Sequence, residues 1–203
     1  MDLGWLPSLG FYILGILIIG LTFRMHLRKA NSSSQEKLAN LLQEEQNARF
    51  VRASELKTEL FIQVDFLAYP SVTHKACAKK YQELMSYAKR PMMNLQKFSN
   101  LELKQTYGPQ VLEKIAAYEK NYFGFMDISI QYGEILYENN YLLEARKTLE
   151  QCIRYHCDIS KCYILLIKIY KAQNDVTALN HIKTVIEKEM GHSPLLHKVL
   201  QML

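Results

Sequence analysis

From Leu3 to Phe23 the chain carries no charged side chain, and the part from Gly10 to Phe23 is dominated by isoleucine and leucine. As a helix, a run of that length extends about 31 Å, close to the thickness of a bilayer hydrocarbon core. The segment is therefore expected to span a membrane. Trp5 lies near one end, where an amphipathic ring suits the headgroup layer, and Pro7 falls in the first turn, where a missing N–H costs nothing. A secretory leader would place positive charge before the apolar stretch. Here Asp2 precedes it and Arg24, Arg28 and Lys29 follow, which predicts an uncleaved anchor over residues 1–29. By the positive-inside rule the N-terminus lies outside and the remainder in the cytoplasm, with the lipid bilayer a partner through residues 3–23.

Beyond the anchor, apolar residues recur three and four apart, and eight glycines and five prolines interrupt a chain of 203 residues, so an all-α fold is expected. Residues 30–71 read as linker and juxtamembrane helix. The polar run Ala30 to Ser34 breaks the chain, and Leu38, Leu41, Leu42, Leu56 and Leu60 flank a polar middle, Gln43 to Asn47, that suits a solvated stalk better than a core. Tyr69-Pro70-Ser71 ends that region, and the folded domain is placed at 72–203. Within it a helix over 72–90 is expected, with Thr73 as its cap and Arg90-Pro91 as its stop. A short helix should start at Ser99 or Asn100. After Gly108-Pro109 an apolar stripe of Val111, Leu112, Ile115, Tyr118, Tyr122, Phe123 and Met126 continues toward Tyr137, as one helix or as two broken at Gly124.

Residues 126–189 match themselves at an offset of 33, with Leu136-Tyr137 on Ile169-Tyr170, Ala145 on Ala178, Leu149 on Ile182 and Ile153 on Ile186. Helix, polar turn and helix at this period, with Gly133, Ala145, Leu149 and Cys152 at positions where two helices approach closely, resemble the tetratricopeptide repeat. Two departures stand out: Ser129 and Cys162 replace the large aromatic near the start of the first helix, and the repeat-ending proline is absent. The whole chain also looks like small bacterial membrane proteins with one N-terminal span, on the strength of Asn47-Ala-Arg-Phe-Val-Arg52, Asn100-Leu-Glu-Leu-Lys104 and the repeat units. The tetratricopeptide resemblance implies an antiparallel helical array whose concave face would align Asp127, Ile130, Glu134, Tyr137 and Glu138 with Tyr163, Ile167, Tyr170 and Lys171. Such a groove is aromatic and mildly acidic, and fits a basic or amide-rich peptide of a protein partner. The same tyrosines could instead do no more than pack between helices.

Two other groups of residues carry chemistry. Cys152, Cys157 and Cys162 with His156 offer soft ligands, but spacings of five across a helix end do not suit an ordinary zinc site, and free cysteine is commonly a small buried hydrophobe. No metal is expected there. Four cysteines without a disulfide-like spacing fit a reducing compartment. His192 and His197 read as surface residues. Across 74–97, Lys75, Lys79, Lys80, Lys89, Arg90 and Lys97 face only Glu83, a run that suits a solvated helix face, anionic lipid or an acidic partner. Nucleic acid would call for a reader motif or a more basic domain than a net charge of +5 supplies. No phosphate loop, G-x-S-x-G or H-E-x-x-H occurs, so neither a cofactor nor catalysis is expected. The reading that results is a membrane-anchored adaptor that recruits or holds a protein partner. Its alternatives are a structural subunit of a membrane complex and an enzyme of undefined reaction.

Overall fold

The computed structural model describes residues 22, 35–191 and 193–203. The expected membrane span lies outside the described residues except for Thr22, and His192 lies outside them as well. Among the described residues no helix is long and apolar enough to cross a membrane. The described fold is all-α, and its one sheet-like pairing is an isolated antiparallel bridge between Phe61 and Met93.

Two compact units divide the chain. The smaller comprises Met1–Ala53 and Asn100–Pro109. Its described elements are α1, residues 35–48, and α3, Asn100–Tyr107. Lys104 on α3 donates to both oxygens of Glu45 on α1, at 3.0 and 2.7 Å. Gly108 ends α3 in the left-handed region at φ +81°, and a Cβ there would sit 2.8 Å from the carbonyl oxygen of Val51. Only glycine satisfies both conditions. On α1, Leu38, Leu41 and Leu42 are all more than half exposed.

The larger unit comprises Ser54–Ser99 and Gln110–Leu203. It holds α2 (Lys75–Met85), α4 (Leu112–Glu138), α5 (Leu142–Arg154), α6 (Ser160–Ala172), α7 (Val176–Glu189) and α8 (Leu196–Leu200). Residues 54–71, expected to be linker, belong to this unit because they make bonds to it. The Ile62 N–H reaches the Met92 carbonyl at 2.9 Å, the Pro70 carbonyl accepts from the Tyr132 hydroxyl at 2.6 Å, and Tyr69 is buried. α2 is shorter than the expected 72–90, starting after His74 without a side-chain cap from Thr73 and ending at Met85 before the turn toward Pro91.

α4 is one uninterrupted helix. Gly124 leaves it intact, and the space where its Cβ would be is occupied by Tyr87, whose hydroxyl would lie 2.5 Å away. α4 lies between α2 and α5, and α5, α6, α7 and α8 follow with each packed on its predecessor. Gly133 faces Leu149 of α5, where a Cβ would meet Cδ2 at 2.7 Å, so the absent side chain sets the close approach of the pair. α5 buries Ala145, Thr148, Leu149 and Cys152, one stripe at spacings of three and four. α6 buries residues on almost every side, and its solvent-facing positions are Lys161, Lys168, Lys171 and Ala172.

Three helix ends stop in the same way. Asn140, His156 and Asn174 adopt φ of 63°, 60° and 53°, and the next N–H in each case bonds a carbonyl five residues back: Tyr141 to Leu136, Cys157 to Cys152, Asp175 to Tyr170. This is a Schellman closure, which satisfies the last carbonyls of a helix while reversing the chain. The two that join α4 to α5 and α6 to α7 lie 34 residues apart. Asn tolerates the left-handed conformation better than most side chains, so the turns form without glycine.

Candidate functional site

The residues expected to line one concave groove are distributed differently in the structure. Tyr163, Ile167 and Tyr170 are buried. The Tyr163 hydroxyl donates to the Cys157 carbonyl, and Ile167 is 1% exposed, so both act as core. The cause is coverage: α6 is packed by α4, α5, α7 and the short C-terminal α8, which leaves only the stripe of Lys161, Lys168, Lys171 and Ala172 open. Glu134 is half-buried and receives a 2.6 Å ion pair from Lys161, tying α4 to α6. Tyr137 is half-buried, Lys171 is exposed, and Asp127 accepts from Gln131 one turn along α4 at 2.7 Å.

A groove of about 290 Å³ opens instead between the second helices of the two hairpins, over the edge of Tyr170. Ile153 of α5 and Ile182 and Val185 of α7 give it apolar walls, and Glu150, Arg154 and His181 stand at its rim. Its upper end is fixed by charge. Arg146 donates to Glu150 at 2.8 Å, to Asp175 at 2.8 Å and to Gln173 at 2.9 Å, and its guanidinium stacks 4.8 Å over the Tyr170 ring. The Tyr170 hydroxyl in turn donates to Glu150 at 3.0 Å. Burial, followed by the negative charge of Glu150, pushes the Tyr170 hydroxyl well above its ordinary range and keeps it a neutral donor. Asp175 is held below the usual carboxylate range by the Ala178 N–H it caps and then by Arg146. Arg146 is shared between Glu150 and Asp175, and Arg154 forms no ion pair among the described residues, so two cations balance two carboxylates around this end of the groove.

Sequence reasoning singled out Tyr170 but missed Ile153, Ile182 and Val185 as a surface. The available signal was the i, i+3 pair Ile182 and Val185 beside a second apolar position at Ile153, and it reads equally well as core. The helical period gives the face of each helix and leaves open which neighbour covers it.

The three central cysteines are all buried, as is Cys77. The Cys162 thiol is pushed up by the neighbouring thiols of Cys152 and Cys157 and by burial. It donates to the Leu149 carbonyl, and Cys152 donates to that of Thr148. His156 turns away from them toward Glu189, 3.3 Å from its carboxylate. Among the described residues no group of three or more histidine, cysteine, aspartate or glutamate side chains is arranged to hold a metal ion.

The basic run surrounds two shallower grooves. Lys79 and Arg90 line one of about 540 Å³ with Gln82, Glu83, Ser86 and Tyr87, between α2 and Ile128 of α4. Lys89 and Arg90 line another of about 300 Å³ against Phe61, Ile62, Val64 and Phe66. Lys80 is engaged, donating to Glu83 at 2.7 Å and to Gln131 at 3.1 Å. Lys75 is exposed on the first turn of α2. The chain matches no protein-family model, no curated protein and no solved structure.

Proposed function

We propose that the chain is a membrane-anchored adaptor rather than a catalyst, with its helical array in the cytoplasm holding a segment of a protein partner in the groove between α5 and α7. The carrying observation is that groove's composition. Ile153, Ile182 and Val185 form an apolar wall, and Arg154 and His181 at the rim have no buried partner to justify them. Apolar anchors within a polar rim are the usual anatomy of a protein-recognition surface. The tetratricopeptide-like reading is supported by the two Asn-ended turns 34 residues apart, which give both hairpins the same geometry. At the sequence offset of 33 the buried Leu149 falls on the buried Ile182, whereas the turns repeat at 34, so the register of the two units differs by one residue. The anchor over residues 1–29 is supported by its charge-free sequence and by the Arg24, Arg28 and Lys29 flank.

The test is to purify the full chain from membranes with its bound proteins and compare it with Ile153→Glu, Val185→Glu and, as a control on the opposite face of α7, Lys183→Glu. The adaptor reading expects one protein enriched with the parent and with Lys183→Glu and lost from the other two, with helicity unchanged. Equal recovery from all four, or nothing enriched from any, would overturn it.

A structural subunit is the second reading, favoured by the exposed Leu38, Leu41 and Leu42 on one side of α1. An apolar stripe of that kind is stable in water only as a weak feature and is better accommodated against another helix.

A further inference from the structure

We propose that the turn at Phe66–Ala68, with Lys89 and Arg90 beside it, is a docking face for an anionic lipid bilayer: Leu67 enters the headgroup layer and the two cations take lipid phosphates. Leu67 is 96% exposed, the most exposed of the large apolar side chains in this unit. Its exposure is built in rather than incidental. Asp65 accepts from the Leu67 N–H at 3.1 Å, the Asp65 N–H donates to the Tyr155 hydroxyl at 2.8 Å, and Phe66 packs its ring 5.5 Å from that of Phe125. The turn is therefore held from below with its leucine pointing outward. A single exposed leucine is ordinary on a protein surface, so the chemistry around this one decides whether it has a receiver.

The cations decide what receives it. Lys89 and Arg90 share one groove wall with Phe66 and Val64, and Arg90 is stacked 4.4 Å over the Tyr87 ring, which fixes its guanidinium at the border of both grooves. Neither Lys89 nor Arg90 forms an ion pair among the described residues, and Lys75 forms none. The one acidic side chain of the turn, Asp65, accepts from the Leu67 N–H, and with Lys89 and Arg90 it leaves the face a net charge of +1. An apolar tip flanked by unpaired cations matches the layered chemistry of an anionic bilayer, with hydrocarbon beneath phosphate. An acidic peptide would satisfy the cations but has no need of a fully exposed leucine. The proposal rests on the anchor reading only for its location, because a domain tethered by residues 3–23 meets the surface it would dock on.

The test places a bimane fluorophore on Gln63→Cys, an exposed position in the wall of the same groove. The full chain is reconstituted into nanodiscs of phosphatidylcholine alone, or of phosphatidylcholine with phosphatidylglycerol at two to one, each doped with spin-labelled lipid. Docking predicts quenching in the anionic discs alone, reduced in Leu67→Ser and in the double variant Lys89→Gln/Arg90→Gln, which should weaken the docked state by roughly five-fold per charge removed. No quenching in anionic discs, or quenching indifferent to both variants while helicity is kept, would overturn the proposal. A label that responds to polyglutamate and not to lipid would overturn it in favour of an acidic protein. If the chain fails to enter discs, the anchor reading fails separately. The labelled protein added to phosphatidylglycerol vesicles from solution then still decides the docking face, by flotation with the vesicles or by its absence.

Discussion

Gly133 shows how much a single absent side chain sets in this array. In a helix, alanine is favoured over glycine by about 1 kcal/mol, so replacement on an exposed face would stabilise. Here the added carbon would meet Leu149 at both Cδ2 and Cγ, at 2.7 and 2.8 Å, in a fully buried contact. Overpacking of that kind costs about 1–3 kcal/mol. Gly133→Ala is therefore expected to destabilise the chain, and to lose that penalty or reverse its sign in a Leu149→Ala background, where the space is free. Denaturant midpoints of the four proteins of this cycle measure the coupling. An equal cost in both backgrounds would show that the approach of α4 to α5 is not set by this pair. Tyr122 shows the complementary case of a large side chain whose polar end is fully used: its hydroxyl is 3.0 Å from the carbonyl oxygens of Tyr155 and His156 and accepts from Asn94 at 3.0 Å. Burial is the chief cause that pushes this phenol far above its ordinary range, so it stays protonated as a donor to the closed end of α5.

At the scale of elements, the α6–α7 hairpin is closed by Asp175, which caps α7 through Ala178 and pairs with Arg146 on α5. Its carboxyl titrates below the usual range in the folded chain, so the folded state binds fewer protons than the unfolded one in acid. The stability this gives is complete above the unfolded value of about 3.9 and is lost as pH falls through the folded value. Asparagine caps a helix about as well as aspartate but carries no charge for Arg146. Asp175→Asn is accordingly expected to flatten the acid limb of a plot of urea midpoint against pH, while keeping α7 helical. An acid limb as steep as the parent's would assign that pH dependence elsewhere.

Much at this scale was legible in the sequence. The apolar stripe after Gly108-Pro109 marks α4, and the helix, polar turn and helix pattern expected over 126–189 covers α5 to α7 without fixing their ends. Two things were hidden. Residues 54–71 have a loop's composition, and their attachment comes from main-chain bonds at Ile62, Asp65 and Pro70 that leave no mark on side-chain pattern. α6 is covered from several sides at once, by α4, α5 and α7 and also by α8, a helix of five residues, too short to announce itself by periodicity. That is why Tyr163 and Ile167, read as groove residues by resemblance, are core.

For the molecule as a whole, the α5–α7 groove is where an apolar wall, a polar rim and a charge-fixed edge coincide, and the function proposed stands or falls on its occupancy. The relevant state is the full chain in the membrane where the proposed anchor over residues 1–29 would hold it. Site-specific photo-crosslinking there is the most direct measurement, with benzoylphenylalanine at Val185 and at Ile153 in the groove and at Lys183 on the exposed side of α7. An adaptor that holds a partner segment predicts the same crosslinked protein from Val185 and Ile153 and none from Lys183. Capture from Lys183 as strong as that from the groove, or no product from either groove position in a correctly folded chain, would contradict it.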